Sequence, residues 1–460
     1  MSKPKLKLTL IMTSIGLIIA SIIQFENNRP NSFAKQRMLR DQGHQVIQFQ
    51  DPNLTSCLKK KLKLNRKTPI TYTHIYPITH LSCENAQIRS LDGLQQLPHL
   101  RHLNLNQNFI KSTEALNQIS DLESLYLSNN QIQILRLKAP KLRSLNLSSN
   151  PLHTLSSQSK LKKLIELDLS FTQIKSLKYL KNTPYLKHLY ANTSQVKDIK
   201  ILQELPKLVT ASFDHCHIQH VPSLQKNRHL NTLILSNNPI TNIHTMKGNK
   251  QLQALNLNNT QVQPPFPKLP KLKYLMISQR PLYSLQPLLK FKALETLYLS
   301  SCQLQNISGI RQLKKLKTLH LTHNSLQDIS ELKHLPHLVE LNLMSNQVSN
   351  IQALSQLPKL QILSIKHNQV SDITPISQLK DLTQINLSHN QIQSISALFS
   401  LPNIKFLNLK NNHIEDITLL GQTQFKDLSY LNVTQNPLPY ARNLILSNPQ
   451  EIQAFLADLN

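Results

Sequence analysis

The sequence predicts an α/β solenoid: a curved parallel sheet on one side, short 3-10 or irregular segments on the convex side, and a helical cap at each end. Three observations carry this. A leucine-and-asparagine unit recurs with a period of 22 residues from residue 78 onward. The 460 residues include only 6 glycines and no tryptophan, which leaves little for Gly-punctuated loops or large aromatic cores. Finally, a helix signature stands at each end of the repeats, where a solenoid needs its open core covered.

One unit reads Leu382-x-x-Ile385-x-Leu387-x-x-Asn390-x-Ile392-x-x-Ile395. Its asparagine slot falls at 86, 108, 130, 150, 172, 194, 216, 238, 260, 280, 302, 324, 346, 368, 390, 412 and 436, which makes seventeen units. The two residues flanking the x of Leu-x-Leu should point inward from a short strand, with x facing solvent. Parallel stacking then satisfies each strand through its neighbour. The slot lies where the chain leaves the strand, and a buried amide there can bond backbone groups of the turn and of adjacent units. Ten slots hold Asn. Thr172, Thr260, Ser194, Cys216 and Cys302 are small substitutes, whereas Ala86 and Arg280 cannot serve and imply local adjustment.

Two spacings are 20 residues and one is 24. The shortened unit around Gln263-Pro264-Pro265-Phe266-Pro267 predicts an extended proline segment in place of the convex turn. Prolines recur in Leu-Pro-x-Leu at 98, 206, 270, 336 and 358, with Pro402 equivalent, where they stop the convex turn without removing a ladder bond. At the far end Asn448-Pro449-Gln450-Glu451 is a helix start, and Ile452, Phe455, Leu456 and Leu459 follow at helical spacing.

Ahead of the repeats, Lys3, Lys5 and Lys7 lead into an uncharged run from Leu8 to Phe25. That length lies between a long signal-peptide core and a short membrane span, so residues 1–28 read as either. Ala20-Ser21-Ile22 is a poor cleavage site and Ser32-Phe33-Ala34 a better but distant one. Arg29, Lys35, Arg37 and Arg40 leave the topology open. The domain reading is then 29–77 for linker and N-terminal cap, 78–440 for the solenoid and 441–460 for the C-terminal cap.

The units resemble the short-repeat class of leucine-rich-repeat proteins, the type seen in the yeast phosphatase regulator and in bacterial internalins. The resemblance covers roughly residues 45–440 and is specific for fold, weakly so for function. Phe49-Gln50-Asp51-Pro52-Asn53-Leu54-Thr55-Ser56-Cys57 looks like the N-terminal cap of exported bacterial members. Asp51 can cap a helix with Pro52 at its first position, and Leu54, Cys57, Leu58 and Leu62 share one face. In related caps a cysteine here pairs with one in the first strand, so the resemblance implies a Cys57–Cys83 disulfide, with two buried thiols as the alternative. Cys216 and Cys302 occupy the same slot four units apart, about 19 Å, and should be buried free thiols.

No P-loop, Rossmann glycine motif, H-E-x-x-H or G-x-S-x-G occurs, so no catalytic residue, cofactor or metal is assigned and an enzyme is the weakest reading. His215-Cys216-His217 with His220 has metal-like composition, but in register Cys216 turns inward and the group cannot converge. His323, His367 and His389 share one exposed slot and read as a surface ladder. The candidate binding face is therefore the solvent side of the strands: Tyr126, Asp168, Tyr190, Met276, Tyr298 and His320 among the middle x residues, with Tyr274, Phe406 and Tyr430 beside them and the aromatic residues, Met276 and His320 as the anchors. Exposed Tyr and Met suit protein-binding anchors, although Tyr also suits a strand by propensity alone.

The formal net charge is +28. Lysines cluster in the cap, as at Lys59-Lys60-Lys61, and on the expected convex side, as at Lys314, Lys315 and Lys317. Such a field fits a solvated face or an anionic lipid or glycan surface, and no groove of interleaved basic and aromatic residues calls for nucleic acid. The leading expectation is a monomeric, non-enzymatic scaffold that binds a protein partner. It would be membrane-anchored facing the periplasm or exterior, or secreted. The alternatives are an acidic-glycan or lipopolysaccharide binder and an intracellular adaptor of the phosphatase-regulator type.

Overall fold

In the computed structural model the structure describes residues 41–156, 161–422, 425–439 and 444–459. The expected leader, 1–28, lies outside them. No helix among the described residues is long and apolar enough to cross a membrane.

Among the described residues an 18-stranded sheet runs the length of the repeats. Seventeen of its strands are parallel and stacked in chain order, and the last, Ile445–Leu446, is antiparallel. Register follows the repeat: Leu103 pairs with Leu125 and Leu125 with Leu145, all buried, so the inward leucines form one continuous core. The convex side is built of 3-10 helices such as Gln352–Gln356 and Thr374–Gln378. Pro358 follows the first of these by two residues, as its position requires.

Both 20-residue units lack that helix. In one, Ile134–Leu135 pairs in parallel with Thr154–Leu155 of the next unit. In the other, 261–270 forms neither helix nor strand and folds Phe266 into the core. Two missing residues shorten the path across the convex side, and an extended chain spans more distance per residue than a 3-10 turn.

The slot works as its chemistry dictates. Asn346 Nδ2 donates to the carbonyls of Leu321 (3.0 Å) and Leu343 (2.9 Å), and its Oδ1 accepts from the Leu326 N–H (3.0 Å). The substitutes keep only part of this. Thr172, Ser194 and Thr260 donate to the carbonyl three residues back at 2.6–2.7 Å. Cys216 and Cys302 instead reach back one unit, to the Ala191 and Ile277 carbonyls, each at 3.1 Å. Both thiols are buried and free, and burial pushes Cys302 up to about 11. One residue before every slot the backbone is left-handed, which the sequence reading did not foresee. Asn, Gln, Ser and His fill most of these places, and Phe171 (φ 57°, 61% exposed) is the bulky exception.

The N-terminal cap is helix α1, Pro52–Lys61, with Leu54 and Leu58 fully buried over the first unit. Asp51 ties cap to repeats. Its carboxylate accepts from Asn53 and Leu54 at the helix start and from Arg89 and Ser90 in the first unit, at 2.6–3.2 Å. Burial alone would raise its pKa, but these four N–H groups together hold it below the ordinary carboxylate value. Gly93 (φ +106°) has no room for a Cβ, which would lie 2.9 Å from the Gln48 carbonyl oxygen. Cys57 and Cys83 are joined by a disulfide, with Cα atoms 5.8 Å apart. A short helix α2, Tyr72–Ile75, completes the cap.

At the other end α3, Pro449–Asp458, is capped by Asn448, which accepts from the Gln450 N–H at 2.9 Å. Ile452 and Leu456 are buried, with Phe455 and Leu459 packed beside them. The antiparallel strand Ile445–Leu446 pairs with Leu431 and Asn432 at the sheet's last edge.

Candidate protein-binding face

Each parallel strand is three residues long, so it turns one side chain into the core and two toward solvent. None of the seventeen contains a lysine or arginine. The chain has 52 such residues in 460, so their exclusion from this face separates it from the rest of the surface. Basic side chains begin one residue outside the strands, as at Arg101, Arg143, Lys187, Lys273, Lys317 and Lys405.

All eight candidate residues stand on this face, in four places. Tyr126 and Tyr190 lie apart, each half-buried among polar neighbours in register: Asn104 and Asn146 for the first, Asp168 and Ser212 for the second. Tyr274 and Met276 share one strand, and Met276, Tyr298 and His320 are in register on three successive strands. Phe406 and Tyr430 stack face to face, 4.4 Å between centroids and 5° between planes, and Asn432 donates to the Tyr430 hydroxyl at 3.2 Å.

His320 departs from the expectation of an exposed anchor. It is 7% exposed, its ring lies 4.3 Å from that of Tyr298, and its Nε2 meets Glu340 Oε1 at 2.8 Å. Glu340 is in the neighbouring strand column of the next unit, a pairing that tabulating both columns together would have exposed. The imidazole therefore supports Tyr298 from one side, and the accessible patch is Tyr274, Met276 and Tyr298. Burial, then the charge of Glu340, raises the Tyr298 pKa, so its hydroxyl stays a neutral donor.

A second group joins Asp168, placed on this face by its middle-x position, to Glu166, which the sequence did not mark. Glu166 and Asp168 project from the same strand, and neither is ion-paired among the described residues. Burial, then the neighbouring Asp168 charge, raises the Glu166 pKa, and burial raises that of Asp168. His188 stands beside Glu166 on the next strand, its own pKa lowered by burial and then by Lys187.

The histidine ladder occupies left-handed positions on the edge, with His367 and His389 stacked at 4.0 Å. His215 is exposed and contacts Asp214 at 2.8 Å, while Cys216 points into the core. No group of three metal-ligating side chains converges among the described residues.

Known proteins bear out this geometry at the level of fold. A family described as "Leucine Rich repeats (2 copies)" matches residues 78–118 and four overlapping windows from 292 to 400, and a single "Leucine Rich repeat" matches 226–243. Repeats and fold together make the chain a leucine-rich-repeat protein, structurally similar to bacterial internalins. A search of curated proteins gave no match. Among solved structures, a leucine-rich-repeat protein of Leptospira interrogans is 22% identical with a TM-score of 0.59, over 84% of this chain and 96% of that one. The functional domain of InlJ from Listeria monocytogenes is 21% identical with a TM-score of 0.59, over 82% and 77%. The ectodomain of the receptor kinase GASSHO1/SCHENGEN3 from Arabidopsis thaliana, solved with CASPARIAN STRIP INTEGRITY FACTOR 2, is 20% identical with a TM-score of 0.51, over 80% and 57%.

Proposed function

We propose that this chain is a non-enzymatic scaffold that binds a protein partner on the solvent face of its strands, centred on Tyr274, Met276 and Tyr298. The observation that carries this reading is the absence of lysine and arginine from every parallel strand of a protein of net charge +28. Interface centres are depleted of lysine and enriched in Tyr, Met and Arg, so the missing lysine, whose solvated ammonium resists desolvation, is the part of this exclusion that supports binding. The rigid sheet holds its aromatic anchors with little ordering left to do on binding.

The proposal includes a location outside the reducing cytoplasm. The Cys57–Cys83 disulfide supports it, because such bonds persist in oxidising compartments. Residues 1–28, read as a signal peptide or anchor, would supply the route. Counting free thiols on the natively produced protein under denaturant tests this: two are expected, and four would remove the argument for export.

For the binding face, the chain lacking residues 1–40 is immobilised and exposed to an envelope extract, and captured proteins are compared with those held by Tyr274→Ala/Tyr298→Ala. The double variant should hold its partner at least about tenfold more weakly, as hot-spot truncations do. Equal capture by both proteins would overturn the assignment of this patch. A second reading, an acidic glycan or lipopolysaccharide at the basic rim, is favoured by Arg101, Arg143, Lys187, Lys273, Lys317 and Lys405 standing just before their strands. Binding that collapses at moderate salt and ignores the tyrosines would select it.

A further inference from the structure

The slot at 280 breaks the pattern most sharply. Arg280 is 4% exposed, and its Nε, Nη1 and Nη2 all lack a hydrogen-bond partner. A guanidinium carries five donors and no acceptor, and it stays charged when buried. Burial pulls its pKa down, the neighbouring Cys302 offsets this only in part, and no carboxylate contributes. The face of Phe266 lies beside the guanidinium, 5.8 Å from ring centroid to Cζ, and the Cys302 thiol is a second neighbour. Phe266 belongs to the shortened proline unit, so both halves of this arrangement come from departures in neighbouring units.

Arg280 also lines a groove of about 420 Å³ on the edge where the chain leaves the strands. The groove crosses three units, and Gln261, Gln263 and Gln279 contribute exposed amides to it. No aspartate or glutamate lines it. A buried, unpaired cation beneath amide donors, with no acid beside it, has the composition of an anion site.

We propose that this groove binds a carboxylate, held by the Arg280 guanidinium with the amides of Gln261, Gln263 and Gln279 around it. A planar carboxylate matches the guanidinium fork two bonds for two. The groove holds one cation, which a monoanion neutralises and a phosphate dianion would not. The site lies on the turn edge, apart from the aromatic patch, and does not depend on the protein-binding reading.

The test is equilibrium dialysis of the folded chain against radiolabelled acetate at fixed ionic strength in chloride. Saturable one-site binding is expected, weakened about tenfold or more in Arg280→Asn. Ten other units carry Asn at this slot, so the variant keeps the fold; should it not, Arg280→Met gives the same reading. Lys314→Ala, an exposed lysine on the convex side, should bind acetate as the parent does. Equal binding by the parent and Arg280→Asn, or no saturable binding by the parent, would overturn the site. Binding of phosphate in preference to acetate would overturn the carboxylate assignment.

Discussion

The units from 324 to 436 and those from 172 to 302 are built on the same pattern and differ chiefly at one position of it. In the first stretch every slot holds asparagine, and each amide links two units through backbone carbonyls. In the second, Asn238 is the one asparagine; Cys216 and Cys302 reach the preceding unit through a weak thiol bond, while Thr172, Ser194 and Thr260 bond a carbonyl of their own unit. The second stretch holds Glu166 and Asp168, which make no ion pair among the described residues, and the two sites proposed above, Tyr274–Tyr298 and Arg280, whereas the stacked Phe406 and Tyr430 stand in the first. Local rules are most often broken where a protein does something other than fold. On the proposals above, the regular stretch serves as a stiffener and the irregular one carries the central patch and the anion groove.

That contrast can be broken at its strongest point first. Asn346→Ala should destabilise the chain by about 3 kcal/mol, because it strands the Leu321 and Leu343 carbonyls and the Leu326 N–H in the core. Urea unfolding with hydrogen exchange read at Leu326 measures this, and a loss no larger than that of a surface substitution would end the stiffener argument. Next, Arg280→Asn should raise stability by about 2 kcal/mol in an anion-poor buffer, since it removes a buried unpaired charge and restores the slot amide. A lower midpoint would mean the arginine already has what it needs. Thr260→Ala, in the irregular stretch, should cost only about 1 kcal/mol, one hydrogen bond to the Leu257 carbonyl. Paired urea melts of this variant and Asn346→Ala give the difference directly, and equal losses would erase the contrast between the two stretches.

The smallest effect is a slope. Glu166 and Asp168 hold their protons more tightly folded than unfolded, so the stability tied to them is fully present below the ordinary carboxylate pKa. It is lost as pH rises from there through their raised folded values. Glu166→Gln should flatten that decline in a series of melts, and an unchanged profile would show that the pair titrates normally.

Much of this was legible in the sequence because the solenoid obliges each slot to do one job. The inward positions of a strand, such as Ile385 and Leu387, are settled by geometry, and Asn390 by the carbonyls it must meet. Asp51, Pro52, Asn448 and Pro449 announce their helices by the same logic. What stayed hidden depends on two units at once. The burial of His320 is set by Glu340 one strand on, and the exposure of Phe171 by a left-handed backbone that its residue type would not advertise. The antiparallel strand Ile445–Leu446 is two residues long, too short for any periodicity to register.

That short strand has a further consequence. A run of parallel strands could in principle go on adding units, or accept the first strand of another copy, at whichever edge remains open. Here the last parallel strand is met by a chain running the other way and roofed by α3, while α1 and its disulfide shut the opposite end. Growth in either direction is closed off, and the molecule becomes a ruler. Seventeen strands at about 4.8 Å mark out an arc of about 77 Å. Along it, the separation of any two groups is found by counting strands.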